Sequence, residues 1–199
     1  MIKLTQLTKR YGSFTAVDRL DLEVPAGQLF GFLGPNGAGK TTTLRMIATM
    51  LRPTSGSIEV DGFDAAKDPA EVRRRLGFLT GTTRLYDRLT PAELVRYYAD
   101  LHGIDRGTLA RRRDEIFTLL DMHKFANQRI GKLSSGMKQK VSIARTIIHD
   151  PSVLVLDEAT AGLDVIASRA IIHLIRDAGN RGKSSPVRKI SAAGEPPEI

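Results

Sequence analysis

Residues 29–51, LFGFLGPNGAGKTTTLRMIATML, run from an apolar segment through a glycine-rich turn into helix-forming residues that stop before Pro53. This order of strand, loop and helix is the context in which the pattern G-x-x-x-x-G-K-[ST] acquires a mechanism, and Gly34 to Thr41 satisfy it. Glycines let successive backbone N–H groups turn toward a triphosphate, and the following helix adds positive potential at its N-terminus. On this reading Lys40 reaches the β and γ phosphates, and the Thr41 hydroxyl is available to ligate Mg²⁺. A glycine-rich turn without a ligand is the bland alternative, and it carries little weight beside a full match in the right context.

The flanking sequence supplies the rest of an α/β domain. Residues 2–8 and 17–24 alternate apolar and polar side chains and predict strands of a half-exposed antiparallel sheet. GSIEVDG predicts a further strand closed by an Asp61-Gly62 turn, and RRRLGFLT a helix end feeding a strand. Thr90-Pro91-Ala92-Glu93 offers an N-cap, a proline at the first helical position and a glutamate at the third, so a helix through about His102 is well signalled. Helices from about Thr108 to Asp121 and from about Gly136 to His149 make residues 84–150 mostly helical, which predicts an inserted helical subdomain. PSVLVLD then reads as a buried parallel strand, and VIASRAIIHLIRDAG as a helix capped by Asp164 and stopped near Gly179.

Composition narrows the chemistry. The 199 residues contain no cysteine, which excludes disulfides, thiolate metal sites and cysteine nucleophiles. No apolar run approaches the ~18–20 residues that span a bilayer. The net charge of +8 admits nucleic acid, an anionic membrane face or phosphorylated ligands as partners. The runs Arg73-Arg74-Arg75 and Arg111-Arg112-Arg113 fall in helical sequence and read first as solvated helix faces.

Two further stretches carry function. VLVLDE ends a buried strand in Asp157 and Glu158, where an open parallel sheet presents groups to a ligand; Asp157 is the candidate Mg²⁺ carboxylate, and Glu158 the candidate base for the water attacking the γ phosphate. In LSSGMKQKVSIART, Ser134, Ser135 and Gly136 stand at a helix start and form a second candidate anion site. Standing alone, that stretch would be an ordinary N-cap.

In order, the phosphate loop, a helical insert opening onto L-S-x-G, an Asp-Glu strand and AGLD resemble the motif set of ABC-type ATPases over about residues 2–183. The resemblance implies an α/β fold, a P-loop NTPase core with an antiparallel β subdomain and an inserted α-helical subdomain. It implies ATP and Mg²⁺ as ligands, with Gly34, Pro35, Asn36, Gly37, Ala38, Gly39, Lys40, Thr41 and Thr42 as the phosphate loop. Tyr11, in KRYG, then matches the aromatic that stacks on adenine, although an isolated tyrosine is more often packing. Asp157 and Thr41 match the metal-binding positions, Glu158 the catalytic glutamate, and Ala161 to Asp164 the loop coupling two sites. Ser134, Ser135 and Gly136 match the signature that meets the γ phosphate on the opposite subunit. The family works as a head-to-tail homodimer or heterodimer attached to a polytopic membrane permease, which predicts a peripheral protein at the cytoplasmic face of the cell membrane. GLDV, LYDRLTPAEL and GMKQKVSIARTIIHDP are most similar to ATPase subunits of bacterial sodium-efflux and drug-efflux exporters. The rival reading, a soluble ABC-type ATPase acting on nucleic acid or ribosomes, lacks the long coiled-coil insertion or tandem cassette such proteins carry, and no nucleic acid is expected as a partner.

Some positions depart from the family. Gly81 stands where a glutamine is usual, leaving Thr80 or Thr82 as the nearest oxygen donors; Ser135, Met137 and Ala159 are further variants. After Gly179 the family continues with an apolar strand and a histidine, whereas this chain reads GNRGKSSPVRKISAAGEPPEI. His102, His123, His149 and His173 all lie elsewhere, so the sequence predicts impaired hydrolysis. The domain is expected to span 1–183 and to be interrupted there by truncation or a reading-frame change. Residues 184–199 are expected to be a disordered tail, leaving the core sheet short of a strand.

Overall fold

A computed structural model describes residues 1–26, 28, 30–31, 35, 37–80, 85–157 and 189–191. Two sheets organise it. The first is antiparallel, in the order β2-β1-β4-β5, and contains β1 (Ile2–Tyr11), β2 (Phe14–Val24), β4 (Ser55–Val60) and β5 (Phe63–Asp64). Ile2, Leu4 and Leu7 turn inward from β1, with Ile58 and Val60 beside them, while intervening polar residues face water. Both long strands run past their predicted ends to a tight hairpin at Gly12-Ser13, where Tyr11 pairs with Phe14. Asp61 and Gly62, at φ 49° and 86°, form the two-residue turn joining β4 to β5.

The second sheet is parallel, in the order β3-β8-β7-β6, with β3 at Phe30–Gly31, β6 at Leu76–Thr80, β7 at Val153–Asp157 and β8 at Lys189–Ser191. β7 is apolar on both faces because each face lines a different core. Val153 and Val155 join Leu44, Met46, Ile47 and the antiparallel sheet; Leu154 and Leu156 join the helical insert. β8 departs from the expectation of an unstructured 184–199. Its three residues pair with Phe30–Gly31 on one side and Leu154–Leu156 on the other, satisfying backbone groups of two strands that are not each other's neighbours. The predicted helix after Asp164 and the remainder of the tail lie outside the described residues.

The helices are α1 (Lys40–Ile47), α2 (Pro69–Arg75), α3 (Pro91–Leu101), α4 (Arg106–Leu119) and α5 (Ser135–Ile147). α3 begins at the predicted capping box: the Glu93 N–H donates to Thr90 Oγ1 at 3.2 Å, and the Thr90 N–H donates to Glu93 Oε2 at 2.8 Å. α4 starts earlier than the apolar pattern suggested because Asp105 Oδ1 accepts from the N–H groups of Gly107 and Thr108. Those bonds, Thr108's first, hold its carboxyl below the usual carboxylate range. Leu94, Val95, Ala99, Ile116, Phe117 and Val141 pack the insert against Leu154 and Leu156.

Candidate nucleotide site

The phosphate loop is shaped by contacts that only glycine tolerates. Gly39 lies at φ 80°, and a Cβ there would stand 2.3 Å from the carbonyl oxygen of Ala16 and 3.0 Å from Val17 Cγ2. The loop is therefore pressed against β2 at Gly39, where glycine is required by packing as well as by conformation. Gly37 takes φ 86°, with open space where its Cβ would be. Gly39 is the N-cap of α1 without a side-chain cap, and no acid occupies the first turn. Neither a capping side chain nor a first-turn acid offsets the positive end of this helix.

Lys40 reaches back over the loop, its Nζ donating to the Pro35 carbonyl at 2.9 Å. Thr41 and Thr42 follow in the first turn, partly exposed. Thr43 behaves differently: its hydroxyl donates to the Gly39 carbonyl at 3.0 Å and it is buried, so it secures the loop. Gly34 and Asn36 lie outside the described residues, whereas Pro35 and Ala38 close the turn through an Ala38 N–H bond to the Pro35 carbonyl at 3.2 Å.

The acidic end of β7 stands where the sequence expects it. Asp157 is the last residue of the strand and is in register with Thr80, the last residue of β6. Glu158, Ala161 to Asp164, Gly81 and Thr82 lie outside the described residues. Tyr11 is 50% exposed at the tip of the β1–β2 hairpin, the hairpin whose second strand touches Gly39. Ser134, Ser135 and Gly136 are exposed at the start of α5, on a different element and above the other core. Ser134 caps that helix by accepting from the Met137 N–H at 3.3 Å, which leaves the Ser135 hydroxyl and the Gly136 backbone at the surface.

Further side chains organise this region without having been singled out as functional. Arg112 does not form the solvated face expected of its arginine run: its Nε and Nη2 donate to the carbonyls of Ile148 and Ile147 at 2.6 and 2.9 Å, and Nη1 pairs with Asp150 at 2.9 Å. Its position between Leu109 and Ile116, on the inward stripe of α4, was the available signal. The rings of His102 and His149 stack at 3.8 Å, nearly parallel, and His149 Nε2 bonds to the Leu76 carbonyl at 3.2 Å. That carbonyl requires Nε2 to be the protonated nitrogen, and Nδ1 is buried without a partner. Burial first, then the charge potential of His102, lowers the His149 pKa to about 4. These two rings, with Tyr11, Met50, Tyr98 and Arg145, line a cavity of about 560 Å³ between α1, β6, α3 and α5. The buried Arg145 guanidinium lies over the Tyr98 ring, 5.4 Å from its centroid.

Residues 17–161 match the protein family described as ABC transporter. The chain is 44% identical over 181 residues to the ABC transporter ATP-binding protein NatA of Bacillus subtilis, covering 88% of this chain and 74% of the relative. It is 41% identical over 175 residues to the bacitracin transport ATP-binding protein BcrA of Bacillus licheniformis, covering 88% of this chain but only 56% of that relative. Among solved structures, the dimeric bacterial ABC transporter cassette MJ0796 superposes with a TM-score of 0.82 at 27% identity, over 97% of this chain and 88% of that one. The same cassette has been seen as a dimer in a post-hydrolysis state bound to ADP and Pi.

Proposed function

Because the chain belongs to the ABC transporter family of ATP-binding proteins, we propose that it is the ATP-binding and ATP-hydrolysing subunit of a transporter, more specifically of an exporter. The observation that carries this reading is the loop at Gly39, wedged against Ala16 and opening α1 with Lys40 folded back over it. The N–H groups of that loop and the Lys40 ammonium bind the phosphates, and Tyr11 receives the adenine. The Thr41 hydroxyl and the Asp157 carboxylate form an oxygen donor set suited to Mg²⁺. When bound, the ion neutralises charge on the β and γ phosphate oxygens. Glu158 holds the attacking water and takes its proton.

Ser135 and Gly136 act in trans, on the nucleotide held by a second copy or a related subunit. Their exposure on a separate element supports that division of labour. The pair works on a polytopic membrane permease at the cytoplasmic face of the cell membrane. No described helix is long and apolar enough to cross a membrane. Tyr86, Tyr97 and Leu101, 46–64% exposed on or beside α3 of the helical insert, supply apolar surface for the permease. Nucleic acid is the less favoured partner, since the named relatives are transport proteins.

Two measurements test the proposal. Glu158→Gln is expected to abolish ATP turnover while retaining MgATP binding; unchanged turnover overturns the catalytic assignment. Co-purification from solubilised native membranes is expected to yield a polytopic partner, and recovery of the chain with nucleic acid instead would reverse the choice of partner.

A further inference from the structure

We propose that Lys9 is a positioning residue for Tyr11 and sets the base-dependent share of nucleotide affinity, an inference that rests on the adenine-stacking reading of Tyr11. Lys9 pairs across the hairpin with Val17, the residue whose side chain touches the phosphate loop at Gly39. Its ammonium lies 5.2 Å from the centroid of the Tyr11 ring and donates to the Arg52 carbonyl at 2.7 Å.

That carbonyl is itself held. The Thr54 N–H donates to the Thr8 carbonyl at 2.8 Å, and Thr54 Oγ1 accepts from the Arg10 N–H at 3.0 Å, fixing the segment after α1 to the end of β1. Lys9 therefore spans from an anchored backbone to one face of a half-exposed aromatic. With the cation on that face, the opposite face is the one presented to a planar base.

Two effects follow. A ring restrained before the nucleotide arrives loses less freedom on stacking. A cation over one face also opposes the negative charge of the π cloud, so the other face becomes a better partner for an electron-rich purine. Neither effect acts on the phosphates. This separates the proposal from a simple gain of positive charge near a polyanion, which would strengthen every phosphate ligand alike.

The test compares MgATP with magnesium tripolyphosphate, which lacks the base, by calorimetric titration of the full chain. Lys9→Met is expected to weaken MgATP by about threefold and leave tripolyphosphate unchanged. Lys9→Gln, which keeps a donor for Arg52 without the charge, is expected to behave like Met, and Lys9→Arg to restore wild-type affinity. In a Tyr11→Ala background the Lys9→Met effect is expected to vanish. Equal weakening of both ligands by Lys9→Met, or persistence of its effect without Tyr11, overturns the proposal. If Tyr11→Ala leaves the ratio of the two affinities at its wild-type value, the stacking assignment itself is wrong, whatever Lys9 does.

Discussion

Gly39 and His149 mark the limits of what a residue's own neighbourhood reveals. Gly39 was legible because its signal is local, a glycine-rich turn opening a helix, and the structure gives it a positive φ at the N-cap of α1. His149 was not, because its partners, Leu76 and His102, are 73 and 47 positions away in the chain and meet it only in the folded protein. Its chemistry yields a prediction. The folded-state pKa, lowered to about 4 from the ordinary 6.5, means that the unfolded chain binds the extra proton first as pH falls. This contribution is fully present above pH 6.5 and is lost as pH drops toward 4, at most about 3 kcal/mol. Denaturant melts across that window should show the loss, and His149→Gln, which keeps a donor for the Leu76 carbonyl, should flatten it. An unaltered slope in that variant would show that another group governs acid stability.

At the level of elements, the starts of α3 and α5 were read well, the start of α4 was placed at Thr108 although Asp105 caps it, and helix surroundings were not read. Thr90 with Glu93, Asp105 and Ser134 all cap helices with bonds confined to three residues, so their signals are complete in the sequence. Thr90→Ala is expected to cost about 1 kcal/mol in thermal or denaturant unfolding. Arg112 was misread because a run of arginines looks uniform until helical period turns its middle member inward, to the carbonyls of Ile147 and Ile148 at the C-terminal end of α5. β8 was missed for a related reason: three residues of modest β character become a strand because two flanking strands each have an edge to fill. Close approach within the parallel sheet is equally invisible to local reading. A Cβ on Gly77 would stand 2.5 Å from Leu154 Cδ2 and 2.8 Å from the Thr146 carbonyl oxygen, so Gly77→Ala should destabilise the protein by about 1–3 kcal/mol. A change below a few tenths of a kcal/mol would mean that β6 and α5 can separate more freely than their packing suggests.

Over the whole molecule, β7 divides two apolar cores, one beneath the antiparallel sheet and α1, the other within the helical insert. The alternation that separates them was readable as a continuous apolar run, VLVLD, whereas the helices covering each face were not assigned to it in advance. This arrangement puts the phosphate loop over one core and the exposed start of α5 over the other. In the proposed function these are two halves of a site completed between subunits, with ATP binding as its first step. The most direct test is calorimetric titration of the purified chain with MgATP, beside Lys40→Ala. Saturable binding that weakens by roughly a hundredfold in the variant, as loss of a charge-assisted phosphate contact predicts, supports the account. Absence of saturable binding at millimolar MgATP, or equal affinity in the two proteins, would contradict it.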